Sequence, residues 1–147
     1  MRSKKKFIVL GISLICVALF SVISLFYLSD NEKKALHCVE DLQNNLKSPD
    51  SLTLSEIRTV QEESNIYTYI TYSAINSYGA KIKSIAMYKN GQYLGEHDSD
   101  VWYASFEETN EIARKKGSAY VLANSIIRLE GVTINVEKIK LRLLFQK

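Results

Sequence analysis

Proline and glycine are scarce, with one proline and six glycines in 147 residues. That scarcity excludes collagen-like, proline-rich and low-complexity architectures. Only two cysteines occur, Cys16 and Cys38, so the chain is not a disulfide scaffold. An excess of one charge is confined to the first residues. Residues 1–29 hold four cations (Arg2, Lys4, Lys5, Lys6) and no acid, whereas residues 30–147 carry 15 Lys/Arg against 16 Asp/Glu. The basicity belongs to the N-terminal tip, and nothing in the charge balance points to nucleic acid as a partner. G-x-S-x-G, H-E-x-x-H and a phosphate-binding glycine loop are all missing.

What is present begins with an uncharged run of 22 residues from Phe7 to Leu28. As a helix it reaches roughly 33 Å, enough to cross a hydrocarbon core of about 30 Å. The cations before it put residues 1–6 in the cytoplasm and residues 29–147 outside, with Tyr27 at the interface. A cleaved signal peptide is the competing reading, but no A-x-A site follows the run. Lipid attachment at Cys16 is disfavoured by the bulky Ile15 before it. The expectation is a basic tip (1–6), an uncleaved single-pass signal anchor held by membrane lipid (7–28) and one extracytoplasmic domain (29–147) in the cell membrane.

That domain is expected to be α+β. Ala35, Leu36, Val39, Leu42 and Leu46 recur at helical spacing over Asn31–Lys47, ahead of a stop at Ser48-Pro49. Leu52–Val60 reads as a short strand and Glu62–Asn65 as a turn. Ile66–Ile75, rich in β-branched and aromatic residues, is the clearest strand. If Asn76–Gly79 is a four-residue loop, Ala80–Lys89 returns with Tyr67 facing Tyr88 and Tyr69 facing Ala86. Asn90-Gly91 predicts a type I′ turn into Gln92–Glu96, giving a meander of three to four strands. Ser105 and Glu108 fit a capping box opening a helix, with Gly117 an interruption or a break. Ser118–Leu129 is a second helical stretch capped by Gly131, and the tail is a strand or, slightly favoured, a helix capped by Asn135.

Leu46-Lys47-Ser48-Pro49-Asp50-Ser51 and Ser73-Ala74-Ile75-Asn76-Ser77-Tyr78-Gly79 resemble the L-K-x-P-x-S and A-x-N-x-x-G elements of small bacterial envelope proteins of unknown function. Some members carry a double glycine after the loop, where this chain has Gly79-Ala80. The resemblance covers about residues 40–95. It implies an anchored or exported protein with one helix and a short antiparallel sheet, and no activity. Both elements also have an architectural reading, since Pro49 ends a helix and Asn76 and Gly79 form loops.

Few residues invite chemistry. Cys38, the odd thiol outside the span, can crosslink two copies or act as a nucleophile with His37 or His97, although His37 points about 100° away on a helix. Glu96, His97, Asp98 and Asp100 offer hard oxygen ligands and a base, yet the EF-hand spacing fails at Trp102 and no zinc spacing exists. Tyr67, Tyr69, Tyr72 and Tyr88 form a possible platform for a glycan or peptide, with Asn76 in the adjoining loop; strands equally use tyrosine for packing. No catalytic residue, metal or cofactor is assigned. The leading expectation is a module that binds a protein or an envelope polymer. A small metal-dependent or hydrolytic enzyme built on Glu96–Asp100 and an accessory subunit of a membrane complex are the alternatives.

Overall fold

The computed structural model describes residues 27–145. The basic tip, Cys16 and all but the end of the apolar run lie outside these residues. Among the described residues, no helix is long and apolar enough to cross a membrane.

The architecture is α+β. Helix α1 (Asp30–Asn45) precedes strands β1 (Thr53–Glu62), β2 (Asn65–Ile75), β3 (Lys81–Lys89) and β4 (Gln92–Glu96). Helices α2 (Phe106–Lys116) and α3 (Ser118–Ile126), strand β5 (Val132–Ile134) and helix α4 (Val136–Phe145) follow. The five strands are antiparallel in the order β4-β3-β2-β1-β5. The expected meander is therefore present with four strands, and β5 adds a fifth. Three residues are too few to show a strand period, which is why β5 has no signature in the sequence.

Helices cover both faces of the sheet. On one face Ala35, Cys38, Val39 and Leu42 of α1 and Ile139 of α4 pack on Ile57, Ile70, Tyr72 and Tyr88. On the other, Tyr120, Ala123, Ile126 and Ile127 pack on Val60, Tyr67, Tyr69 and Met87. Four successive residues of the central strand, Tyr67 to Ile70, are consequently all buried. Leu28 is also in the core, so the last residue of the apolar run belongs to the folded domain.

The pairing of β2 with β3 departs from the expected register by one residue. Tyr67 lies opposite Lys89, Tyr69 opposite Met87 and Thr68 opposite Tyr88. The loop is one residue longer than expected because the Asn76 carboxamide oxygen accepts from the backbone N–H of both Tyr78 and Ala80, at 3.0 Å each. Side chains alternate across a sheet, so this single step puts Tyr67 and Tyr69 on the face opposite Tyr88. Two bulges adjust the other pairings, at Leu54/Glu56 in β1 and beside Met87/Tyr88 where β4 joins β3.

The ends of the elements follow local chemistry. Ser29 and Glu32 form a capping box that starts α1 at Asp30, and Ser105 and Glu108 form the expected one before α2. Asn90 and Gly91 both take positive φ, as the type I′ turn requires. Gly117 is a true break, with φ 92° at the junction of α2 and α3. Asn135 caps α4 by accepting from the Lys138 N–H at 3.1 Å, so the tail is a helix. Gly131 does not cap α3, which ends at Ile126; it lies against β1 instead.

Two stability predictions arise here. Lys138 donates to Glu32 at 3.0 Å, joining the first turns of α4 and α1 with both side chains mostly buried. Burial pushes the Glu32 carboxyl up, but hydrogen bonds from Ser29 and Lys138 outweigh it and leave the group below its ordinary value. The unfolded chain then takes up the proton at higher pH than the folded one. The pair's stabilisation is complete above the unfolded value of about 4.3 and is lost as pH falls through the folded value. A Lys138→Met chain should lose about 2 kcal/mol at neutral pH and show a flatter acid limb in urea midpoints. Separately, the buried Tyr67 hydroxyl has no hydrogen-bond partner among the described residues. Tyr67→Phe is expected to raise stability by about 1 kcal/mol, read as a higher urea midpoint at unchanged slope.

Candidate functional site

The bulge in β4 creates the most developed polar site. It sets Tyr93 opposite Tyr88 and Glu96 opposite Ala86, so both Tyr93 and Glu96 project from the face that carries α1. There the Glu96 carboxylate accepts from the hydroxyls of Tyr93 at 2.8 Å and Tyr72 at 3.2 Å, and from the Ser84 hydroxyl. Tyr88 donates to Asp41 of α1 at 3.1 Å, and its ring meets Tyr93 edge-on at 5.3 Å. Asp41, Tyr72, Tyr88, Tyr93 and Glu96 line a groove of about 600 Å³ between α1 and the β3–β4 hairpin.

The groove continues along α1. A neighbouring space of about 670 Å³ shares Gly91 and Gln92 with it and is lined by Lys33, Lys34 and His37. Lys33, His37, Asp41 and Asn45 recur every fourth residue, which on a helix makes one polar stripe about 18 Å long. The groove therefore has a basic end at Lys33 and Lys34 and an acidic, tyrosine-lined end at Asp41 and Glu96. The four-residue spacing of that stripe is a signal the sequence carries but that sequence reasoning missed as a site; the pairing of Glu96 with Tyr72 and Tyr93 leaves no such signal, because it depends on the bulge.

Burial pushes the Tyr72 hydroxyl up to about 12, helped by the negative Glu96 beside it. Tyr88 and Tyr93 are raised further, by burial first and then by Asp41 and Glu96 respectively. All three hydroxyls stay protonated and donate to the carboxylates. Every oxygen of Asp41 and Glu96 already accepts at least one hydrogen bond, and the lone pairs that remain on them and on the hydroxyls can accept further, so this end of the groove suits a ligand rich in hydroxyl or amine donors.

The residues singled out from sequence fare differently. Tyr67 and Tyr69 are buried on the opposite face, where the Tyr69 hydroxyl donates to the Ala123 carbonyl at 2.8 Å. They form no exposed platform with Tyr88, which is itself buried at its ring and reaches the groove only at its edge. Asn76 organises the β2–β3 loop through its two backbone hydrogen bonds. Glu96, His97, Asp98 and Asp100 line one hollow of about 580 Å³ with Lys116 and Tyr120, but strand alternation and the turn that follows send their side chains to different partners. Glu96 faces α1, His97 meets Asn124, and Asp98 accepts from the Asp100 N–H at 3.0 Å to cap a short 3-10 turn. Among the described residues no group of three or more His, Cys, Asp or Glu side chains is arranged to hold a metal ion. Cys38 is fully buried, and burial pushes its thiol up to about 11. It cannot reach a second copy or a substrate without opening the core. His37 is exposed on the groove side of α1.

Sequence reasoning missed Asn124 and Arg58. Asn124 is fully buried and accepts from the Asp98 N–H at 2.9 Å while donating to the Tyr120 carbonyl at 3.0 Å. Its oxygen lies 2.7 Å from His97 Nδ1, which must therefore carry the proton. Arg58 of β1 donates to the Leu129 carbonyl at 3.0 Å and to the Ile127 carbonyl, closing the C-terminal end of α3. No protein-family description, curated protein or solved structure gives a significant match to this chain.

Proposed function

We propose that this chain is a single-pass, N-in envelope protein whose extracytoplasmic α+β domain binds a hydroxyl-rich envelope polymer along α1. The observation that carries the binding reading is the groove itself, where Tyr72, Tyr88 and Tyr93 converge on Asp41 and Glu96 and Lys33 and Lys34 lie beyond. Aromatic edges and carboxylates suit sugar hydroxyls, and the lysines suit an acidic substituent further along the same polymer. The membrane anchor rests on the apolar run and the cations before it. The burial of Leu28 in the core supports ending the proposed span at residue 26, and residues 7–26 would still reach about 30 Å as a helix. With α1 starting at Asp30, the groove would be held close to the membrane surface.

The test is co-sedimentation of the full-length protein, in detergent, with purified envelope polymer. Tyr93 is half-exposed, so Tyr93→Ala removes groove lining without opening the core. It is expected to weaken binding about tenfold, which is about 1.4 kcal/mol. Unchanged binding in Tyr93→Ala would reject the groove. A stoichiometric protein crosslinked in intact cells only when Tyr93 is present would replace the polymer by a protein partner. Release of shortened polymer would move the reading to a hydrolase. For the anchor, a reporter fused after Lys147 should read as external, and a cytoplasmic signal would overturn the orientation.

A further inference from the structure

The sheet face opposite the groove carries a second, smaller cleft of about 340 Å³, lined by Arg58, Arg128, His97, Trp102, Thr71 and Glu56 among others. Its cations are held in place before any ligand arrives. Two main-chain carbonyls fix the Arg58 guanidinium, and the Arg128 guanidinium lies 3.6 Å from the centre of the Trp102 ring. Neither forms an ion pair with a carboxylate among the described residues, Glu56 included. Two prearranged guanidiniums against the single carboxylate of Glu56 leave the cleft net positive, which favours an oxyanion.

His97 narrows the choice. Its Nδ1–H is committed to the buried Asn124 oxygen, and its ring packs 4.9 Å from that of Trp102. The one polar ring atom left is Nε2, which in the neutral ring accepts a hydrogen bond. With the ring neutral, an oxyanion bound here takes the N–H groups that Arg58 and Arg128 have left and supplies a donor to Nε2. Inorganic phosphate does both near neutrality, since it keeps a P–OH. Sulfate and acetate supply only acceptors, and a phosphate monoester is mostly the dianion without that hydroxyl.

We infer that this cleft binds hydrogen phosphate, with Arg58 and Arg128 on its oxygens and His97 Nε2 accepting from its hydroxyl. The site is separate from the polymer groove and does not depend on it. Trp102 is the chain's single tryptophan, so its fluorescence reports on the cleft directly. Full-length protein in detergent is titrated with inorganic phosphate at constant ionic strength and neutral pH, followed by emission and by calorimetry. The expected result is a saturable response to phosphate, with sulfate, acetate and glycerol 3-phosphate at least about tenfold weaker. Arg128 is exposed, and Arg128→Ala is expected to fold normally and lose the phosphate response by at least about tenfold. No saturable response, or an equal one in Arg128→Ala, would overturn the site. Equal affinity for sulfate and phosphate would overturn hydrogen phosphate as its ligand.

Discussion

Replacing Asn124 by leucine is expected to destabilise the domain by about 3 kcal/mol, the largest loss from any single polar side chain here. Leucine keeps the branched shape but is the bulkier side chain, so no cavity forms and the cost combines lost hydrogen bonds with overpacking at a fully buried site. The substitution strands the Asp98 N–H and His97 Nδ1–H, which both converge on the amide oxygen, and the Tyr120 carbonyl loses a donor. These groups are tied to one another. The Trp102 indole donates to the Asn124 carbonyl, and the Tyr120 hydroxyl donates to the Glu96 carbonyl at 3.0 Å. The end of β4 and the turn after it are thus attached to α3 through two buried residues, Asn124 and Tyr120. A lower urea midpoint with an altered near-ultraviolet signal from Trp102 is the expected measurement. A midpoint within about 0.5 kcal/mol of the parent would show that the turn is held by packing alone.

Gly131→Ala is the second large effect, expected at about 2–3 kcal/mol. An added Cβ would stand 2.4 Å from the Thr59 carbonyl oxygen and 2.9 Å from Val60 Cγ2. Both belong to β1, and Thr59 pairs with Val132 directly after the glycine, so the chain cannot retreat without breaking that ladder. Gly117 provides the control. It has φ 92° but open space around it, so alanine there meets backbone strain of about 1–3 kcal/mol and no steric clash with a neighbour. Asparagine separates the two explanations, because it tolerates the left-handed cap geometry. A cap at Gly131 would accept Gly131→Asn at little cost, whereas the close approach to Thr59 predicts a loss at least as large as for alanine. Thermal or urea unfolding of the three variants decides it.

Both positions show where local reasoning stops. Gly131 follows a helical stretch, and the usual meaning of such a glycine is a cap. Only the path of β5 alongside β1 shows that its missing side chain makes room for another strand. Asn124 sits within an otherwise apolar helical face, and no neighbour in sequence marks it as a partner of His97, 27 residues earlier. The tyrosines make the same point. Their alternation in β2 is plain, but which side meets Tyr88 depends on one loop residue, Ala80, drawn into the turn by Asn76.

The sequence by itself determined what short-range chemistry controls. The apolar stripe of α1, the Asn90-Gly91 turn, the Ser105–Glu108 capping box and the Asn135 cap all act within a few residues, and each has its expected form. Ser29–Glu32 also forms a capping box, which the expected start at Asn31 misses. The tertiary structure decided the rest. It set the register of β2 on β3, the bulge that brings Glu96 to Tyr72 and Tyr93, and the addition of β5 to the edge. It also sent the side chains of the Glu96–Asp100 cluster to different partners. The physical reason is the two-residue period of a strand. One inserted residue reverses every side chain beyond it, at a local cost too small to leave a mark in composition or spacing.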